Sequence, residues 1–329
     1  MSTPDLDRNS IVVVCAADDN YAMPLAVTMR SVVENLKTYP KMTLFIIDGG
    51  IKEHNKHKIL KSLNPDKCEI KWIPQPEATS GQFEELKDVA PLGKETAQKH
   101  VKISTYYRLL IPELLPSQIT KAIYLDTDLI IVGDLGELWD MDIGKNYLLA
   151  TQDICTPYIS SPSGLTNYRE LGLSPNYKYL TPGVLVINLE KWRADEICAK
   201  SIDYLKQYRE HVRWHDADVL NGVLAGKWGE LDPRWNQMPY AYNFSSWKDT
   251  PFSEEVYNSL IHNPYIIHFS TAAKPWNSRE QHPFKHLFFH YLDMTAWSGW
   301  RFTIWRRLWR RLLREVEQFS SSISLPKSV

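Results

Sequence analysis

Over residues 11–73, uninterrupted apolar runs alternate with segments whose apolar positions recur every three to four residues. The runs at 11–16, 43–47 and 69–73 are rich in β-branched and aromatic residues, which predicts buried strands. The first two end in turn formers, Asp18-Asp19-Asn20 and Asp48-Gly49-Gly50. Between them, residues 22–37 set Leu25, Met29, Val32, Val33 and Leu36 along one side, and 53–63 also read as a helix. Strand and helix in this alternation predict a doubly wound parallel half-sheet.

Further along, 75–98 reads as a polar connection broken by Pro76, Gly81, Pro91 and Gly93. A helix is predicted over 99–115, then a strand over 121–132 and another over 147–152. Residues 155–178, rich in Ser, Pro, Gly, Asn and Tyr, read as a long loop of the kind that forms lids or binding walls. Strand 183–189, an amphipathic helix over 192–210, an acidic helix start at 214–221 and a late strand over 264–270 follow.

The strand at 121–132 carries the first candidate chemistry, because Asp126 and Asp128 interrupt it. In a strand, positions i and i+2 share a face, so both carboxylates point one way. Buried charge costs several kcal/mol without a partner. A hard divalent cation bound to a phosphate is one such partner. Alone, the triplet reads better as a strand that stops at Asp126 in an Asp-Thr-Asp turn, because short motifs match by chance.

The first strand supplies a second candidate. No Gly-x-Gly-x-x-Gly follows it; the turn is Ala17-Asp18-Asp19-Asn20-Tyr21. Carboxylates repel phosphate but accept hydrogen bonds from a base or ribose. A nucleotide held there needs its phosphates neutralised elsewhere, and Asp126 and Asp128 could hold a metal for that purpose. Ligands of open α/β sheets bind beyond the carboxyl ends of strands, where both acidic sites fall.

Composition changes little in this picture. The chain has 329 residues, 43% hydrophobic and 23% charged, with net charge −1, and nothing global points to nucleic acid. Residues 297–329 hold seven basic and two acidic residues, so +5 lies there and −6 in the rest. The N-terminus is polar and no apolar stretch has transmembrane length, so a cytoplasmic enzyme is expected. Cys15, Cys68, Cys155 and Cys198 are scattered, which suits buried thiols in a reducing compartment.

Six blocks in order now resemble glycosyltransferase family 8, above all its bacterial lipopolysaccharide α-galactosyl- and α-glucosyltransferases. They are Ala17 to Tyr21; His100 through Arg108; Tyr124 to Asp128; Gly183 to Arg193; Asp216 to Gly222; and His268-Phe269-Ser270 with Lys274-Pro275-Trp276. The likeness runs from about residue 11 to 280. It implies an α/β fold of the GT-A type, a Rossmann-like mixed central sheet flanked by helices. It implies retaining transfer of a hexose from a UDP-sugar with Mn²⁺, Mg²⁺ being the other candidate ion. Asp126, Asp128 and His268 would be the metal ligands. Ala17, Asp18, Asn20, Tyr21, His100, Thr127 and Lys274 would join Asp126 and Asp128 around the nucleotide. Arg108 would meet the donor and Asp216 would orient its sugar. Three positions depart from the family pattern and would line the donor: Thr181 in place of Asn, Ala217 in place of Gln, and Thr271 in place of Gly. Ala217 has no nucleophilic atom; Asp218 is the remaining candidate, although capping of its helix is the favoured role. The acceptor would be a glycan or glycolipid, such as lipopolysaccharide core. A catalytically degenerate UDP-sugar-binding module is the main alternative, and a nucleotidyltransferase a more remote one.

Two domains are expected: a transferase domain over 1–290 and a basic segment over 291–329. In the latter, Phe302, Trp305, Trp309, Leu312 and Val316 fall on one stripe with arginines beside it. A Trp-rich basic helix of this kind suits an anionic membrane surface, which predicts a peripheral position on the inner face of the plasma membrane. Docking of that helix on the body is the competing expectation. His282, His286 and His290 would share one helical face, with a structural role favoured over metal binding.

Overall fold

The computed structural model describes residues 9–74, 81–92, 103–277 and 281–306. The chain begins with β1 (Ser10–Ala17), α1 (Ala22–Asn35), β2 (Lys41–Asp48), α2 (Glu53–Ser62) and β3 (Cys68–Ile73). After α3 (Gly81–Val89), a 3₁₀ segment over Ile103–Leu110 and α4 (Ile111–Leu114) come β4 (Lys121–Leu125), β5 (Leu129–Ile131) and α5 (Leu135–Asp140). Then follow β6 (Leu148–Gln152), β7 (Leu180–Asn188), α6 (Leu189–Ala194), α7 (Ile197–Tyr208) and α8 (Asp216–Leu224). The last elements are β8 (Gly229–Glu230), α9 (Glu254–His262), β9 (Ile266–His268) and α10 (Lys285–Asp293).

Seven strands form the main sheet in the order β3-β2-β1-β4-β7-β6-β8. The half from β3 to β4 is parallel, as the alternation of strand and helix predicts. β7 runs antiparallel to both β4 and β6, which makes the sheet mixed. Both faces are covered, and the side-chain alternation of β1 divides the core. Val12 and Val14 pack with Tyr106, Tyr107, Tyr124 and Trp192 on one side. Ile11, Val13 and Cys15 pack with Leu25, Met29 and Val32 of α1 on the other.

The single strand predicted over 121–132 is two strands. β4 ends at Leu125, the backbone bends across Asp126-Thr127-Asp128, and β5 leaves the main sheet to pair antiparallel with β9. Helix α1 holds the departing strand through polar side chains. Thr28 Oγ1 donates to Leu129 O at 2.8 Å, Ser31 Oγ accepts from Ile131 N at 2.9 Å, and Asn35 Nδ2 donates to Ile131 O at 2.9 Å. These bonds satisfy backbone groups that the bend takes out of the main sheet.

Other expectations also shift. Residues 81–89, read as polar connection, form α3, which buries Phe83 and Leu86. The helix predicted over 99–115 is mostly 3₁₀ where it is described. The helix predicted over 192–210 is two helices, since Glu196 adopts a left-handed φ of 51° between them. The first of these begins at Leu189, where the Asn188 side chain caps Lys191 N. The expected domain boundary at 290 falls inside α10. Tyr291 and Leu292 are buried with Val27, Ile130, Phe269 and Trp276, and Trp297 and Trp300 pack against the same cluster. The body therefore extends to about residue 300. Trp309, Leu312 and Val316 of the expected amphipathic stripe lie outside the described residues. His282 precedes α10 and is buried, so the three histidines do not share a helical face.

Candidate active site

The bend after β4 and the pairing of β5 with β9 bring three residues together. Leu129 opposes His268 in the antiparallel register, and Phe269 N donates to Asp128 O at 3.0 Å. One ligand atom each from Asp126, Asp128 and His268 consequently lies within 4.8 Å of the others. His268 Nε2 is 3.1 Å from Asp128 Oδ1 and 3.7 Å from Asp126 Oδ2. The other ring nitrogen, Nδ1, is 2.8 Å from Asn236 Oδ1. The ring lies close against Gly183: a Cβ there would stand 2.5 Å from His268 Cε1.

Two cations bracket the carboxylates. Lys274 is buried and donates to Asp128 Oδ2 and to Phe269 O. Burial works to raise the Asp128 carboxyl, but the Lys274 ammonium and the His268 ring outweigh it and hold its pKa below the usual carboxylate range. On the other side, Arg108 Nη2 donates to Asp126 Oδ1 at 2.7 Å, and Tyr124 Oη donates to the same oxygen at 2.9 Å. Arg108 also donates to Pro182 O at 2.6 Å and stacks over the Tyr124 ring at 4.5 Å.

Arg108 reaches one residue further. Its Nε lies 3.0 Å from Asp216 Oδ2, yet that oxygen accepts no hydrogen bond. The pair is an ion contact whose N–H points elsewhere, toward Thr105 O. Asp216 opens α8 and is buried; burial pushes its pKa up to about 7 against the pull of Arg108. Asp218, two positions on, is fully enclosed. Its Oδ1 accepts from Tyr179 Oη at 2.8 Å and its Oδ2 from the N–H groups of Arg213 and Trp214, both at 2.7 Å. It ties the chain entering α8 to Tyr179, the residue before β7, with both carboxylate oxygens engaged. Ala217 packs beside a small cluster of Ile159, Leu165, Tyr179 and Ala225.

The acidic first turn is structured by its own side chains. Asp18 Oδ1 accepts from Asn20 N at 2.9 Å and Tyr21 N at 3.2 Å. Asp19 Oδ1 accepts from Lys52 N and Asn55 Nδ2. A cavity of ≈ 190 Å³ opens beside them, lined by Asp18, Asp19, Asn20, Gly49, Gly50, Ile103, Ser104 and Tyr107. A side chain at Gly49 would crowd the end of β1, with its Cβ 3.0 Å from Ala17 O. Tyr21 connects this turn to the carboxylates: burial raises its hydroxyl pKa, and the charges of Asp128 and Asp126 raise it further. Its ring also meets Trp276 edge-on at 6.0 Å.

The remaining expected residues have these places. Thr127 is buried inside the bend, and Thr181 is buried on β7 with its hydroxyl 3.8 Å from Met238 Sδ. Thr271 Oγ1 donates to Ala273 O at 2.8 Å within the turn that delivers Lys274. His100 lies outside the described residues. Asn236 carries no signal in the sequence, since its contact with His268 spans 32 positions and leaves no local motif.

The donor set can be tested for a metal. Two carboxylates and an imidazole nitrogen that faces them suit a divalent ion of the Mn²⁺ or Mg²⁺ kind. The residues present fit it.

Known structures share this arrangement of sheet and helices. The galactosyltransferase LgtC, solved with donor and acceptor sugar analogues, matches with a TM-score of 0.71 at 28% identity, over 87% of this chain and 96% of that one. The protein is accordingly a glycosyltransferase of the GT-A fold. It belongs to glycosyl transferase family 8, whose sequence model matches residues 12–280. General stress protein A of Bacillus subtilis is 30% identical over 289 residues, 87% of this chain and 94% of its own length. A lipopolysaccharide 1,2-glucosyltransferase of Escherichia coli is 24% identical over 89% of this chain and 81% of its own.

Proposed function

We propose that this glycosyltransferase moves a hexose of the galactose or glucose type from a UDP-sugar to a glycan or glycolipid, with retention of configuration and dependence on Mn²⁺. One observation carries the reading: Asp126, Asp128 and His268 converge within 4.8 Å, with Lys274 on the same carboxylate. A divalent ion held by those three residues would supply Lewis-acid stabilisation of the leaving diphosphate.

The chain's own residues do the rest. Asp18 and Asn20 lie at the cavity suited to uracil and ribose, and Tyr21 lies between that cavity and the carboxylates. Lys274 offers a point charge to the diphosphate once a metal competes for Asp128. Asp216 Oδ2, buried and without a donor, accepts from a donor-sugar hydroxyl. Arg108 acts through its neighbours: it holds Asp126 and Asp216 in one frame, and this supports a positioning role rather than direct reading of the donor. A covalent route through position 217 or 218 finds little support. Ala217 lacks a nucleophilic atom, and Asp218 is committed on both oxygens. Attack from the face of the departing diphosphate fits the site better.

The same reading puts an anionic membrane surface against the basic C-terminal segment, with the enzyme peripheral on the inner face of the plasma membrane. Its support is the arginine and tryptophan pattern of residues 297–329. No helix among the described residues is long and apolar enough to cross a membrane.

The test is UDP release from a panel of UDP-sugars, with and without Mn²⁺ and without acceptor. Metal-dependent release from UDP-glucose or UDP-galactose is expected. Measurable UDP binding with no turnover of any common donor would overturn the enzyme reading in favour of a binding module. Pyrophosphate release from a nucleoside triphosphate would overturn it in favour of a nucleotidyltransferase.

A further inference from the structure

We propose that Asn236 is a positioning residue for the metal site: it fixes the tautomer of His268, and Gly183 leaves the space in which that tautomer can be held. This rests on the metal-site reading above.

A neutral imidazole carries one N–H and one lone pair, and its hydrogen-bond partners decide which nitrogen has which. His268 has two candidate acceptors, one at each nitrogen. Asp128 Oδ1 lies 3.1 Å from Nε2, and Asn236 Oδ1 lies 2.8 Å from Nδ1. If Nε2 donates to Asp128, the ring has no lone pair facing the carboxylates and the third ligand is lost. If Nδ1 donates to Asn236, the Nε2 lone pair faces Asp126 and Asp128. The amide oxygen of Asn236 accepts only, so its contact selects the second state.

The fold holds Asn236 to this task. It is 4% exposed and ends a 3₁₀ turn over Pro233–Asn236, capped by Asp232. The next residue is clamped to β9 on both sides: Gln237 N donates to Ile266 O at 2.9 Å, and His268 N donates to Gln237 O at 2.8 Å. The preceding residue, Trp235, is buried with its ring 4.7 Å from that of Tyr265. Asn236 is thus fixed by backbone pairing to the strand that carries His268. Its Nδ2 is buried without a partner. An amide with one unmatched donor is costly in a core, so packing alone gives no reason for asparagine there. Gly183 closes the arrangement. A Cβ at 183 would meet His268 Nδ1 at 2.7 Å and Asn236 Nδ2 at 3.2 Å, so any side chain would push the ring and amide apart.

Second partners of this kind typically change metal affinity about 10- to 100-fold. The experiment is nitrogen NMR of histidine-labelled, metal-free protein, with the His268 signal assigned from its loss in His268→Ala. It is read beside Mn²⁺ titration of the parent, Asn236→Leu and Asn236→Asp. The expected result is an Nδ1–H tautomer in the parent and a shift toward Nε2–H in Asn236→Leu. Mn²⁺ should bind roughly 10- to 100-fold more weakly to that variant, and Asn236→Asp, which keeps an acceptor, should restore binding to within a few-fold. An Nε2–H tautomer in the parent overturns the proposal without recourse to any variant. Unchanged Mn²⁺ affinity in Asn236→Leu, with the parent binding normally, also overturns it. A parent that binds no Mn²⁺ while retaining UDP overturns the metal-site reading itself.

Discussion

Lys274 donates its ammonium to Asp128, the carboxylate whose second oxygen lies 3.1 Å from His268 Nε2. A cation built into the chain therefore sits where a divalent ion would draw on the same charge. Replacing it should move two affinities in opposite directions. In Lys274→Ala, Asp128 loses its buried partner, so Mn²⁺ alone should bind more tightly, by about tenfold. UDP should bind more weakly by a similar factor, since a charge-assisted contact of about 1.5–3 kcal/mol is gone. Calorimetric titration of Mn²⁺ and of UDP, each without the other, reads both. A parallel weakening would contradict the competition.

Gly183→Ala tests the space beside His268. The added methyl meets the His268 ring at 2.5 and 2.7 Å, and that ring is buried with Nδ1 2.8 Å from Asn236 Oδ1. Overpacking of this kind costs about 1–3 kcal/mol. The melting temperature should fall by several degrees and Mn²⁺ binding should be largely lost. Retention of normal Mn²⁺ affinity would show that the ring can shift and still ligate.

Asp218 separates a brace from a nucleophile. In Asp218→Ala, the Tyr179 hydroxyl and the N–H groups of Arg213 and Trp214 lose their acceptor in a buried site. A loss of about 2–4 kcal/mol is expected in urea denaturation. Asp218→Asn keeps an acceptor for the two N–H groups, and Tyr179 can turn to accept from the amide. That variant should hold kcat within about tenfold of the parent by the arithmetic of one weakened bond. A fall of several orders of magnitude in a folded Asp218→Asn protein would restore the covalent route.

Acid sensitivity should come partly from a histidine away from the site. His282 is buried against the rings of Tyr242 and Phe269, and its Nδ1 accepts from Phe284 N at 3.2 Å. Burial pushes its pKa down to about 4, so the folded state holds the ring neutral. Between pH 6.5, near the unfolded value, and pH 4 the unfolded chain binds more protons. Stability from this group is fully present above that window and is lost as pH falls through it. His282→Asn keeps an acceptor for Phe284 N and removes the titration. Urea unfolding at pH 7 and pH 4.5 should show a smaller difference in the variant, by an amount on the order of 2–3 kcal/mol. An unchanged difference would place the acid-labile group elsewhere.

Membrane attachment calls for a cut placed by the fold. Trp297 and Trp300 pack on the body, so removal of residues 307–329 leaves those contacts in place. The cut removes five basic and two acidic residues, so at about 1 kcal/mol per net charge at such a surface the shortened protein should bind anionic vesicles on the order of a hundredfold more weakly. Its UDP release in solution should be unchanged. Equal vesicle binding by the two forms would reject the attachment.

The parallel half-sheet was legible because each strand is a continuous apolar run and each helix has a one-sided stripe. The bend at Asp126 was harder to see. Residues 121–132 keep a strand-like composition throughout, and the cause of the break lies far away, in Thr28, Ser31 and Asn35 of α1 and in β9. The convergence of Asp126, Asp128 and His268 was visible only through family resemblance, since 140 positions separate Asp128 from His268. Asn236 left no trace at all. Its partner is set by an isolated bridge between Gln237 and Ile267, and no periodicity marks such a contact. The contacts of Arg108 with Asp126, Pro182 and Asp216 were equally hidden, since they join segments 18, 74 and 108 positions away.

The bend between the large sheet and the two-stranded one also leaves the acidic cluster to be completed by a late segment of the chain. All seven strands of the large sheet and every lining residue of the nucleotide cavity precede β9 in the chain. During synthesis the two carboxylates and the residues lining the cavity beside Asp18 leave the ribosome well before His268. Domains fold as their residues emerge, at about 5–20 residues per second. Asp128 and His268, 140 positions apart, thus emerge seconds apart, and the cluster of Asp126, Asp128 and His268 stays open until β9 pairs with β5.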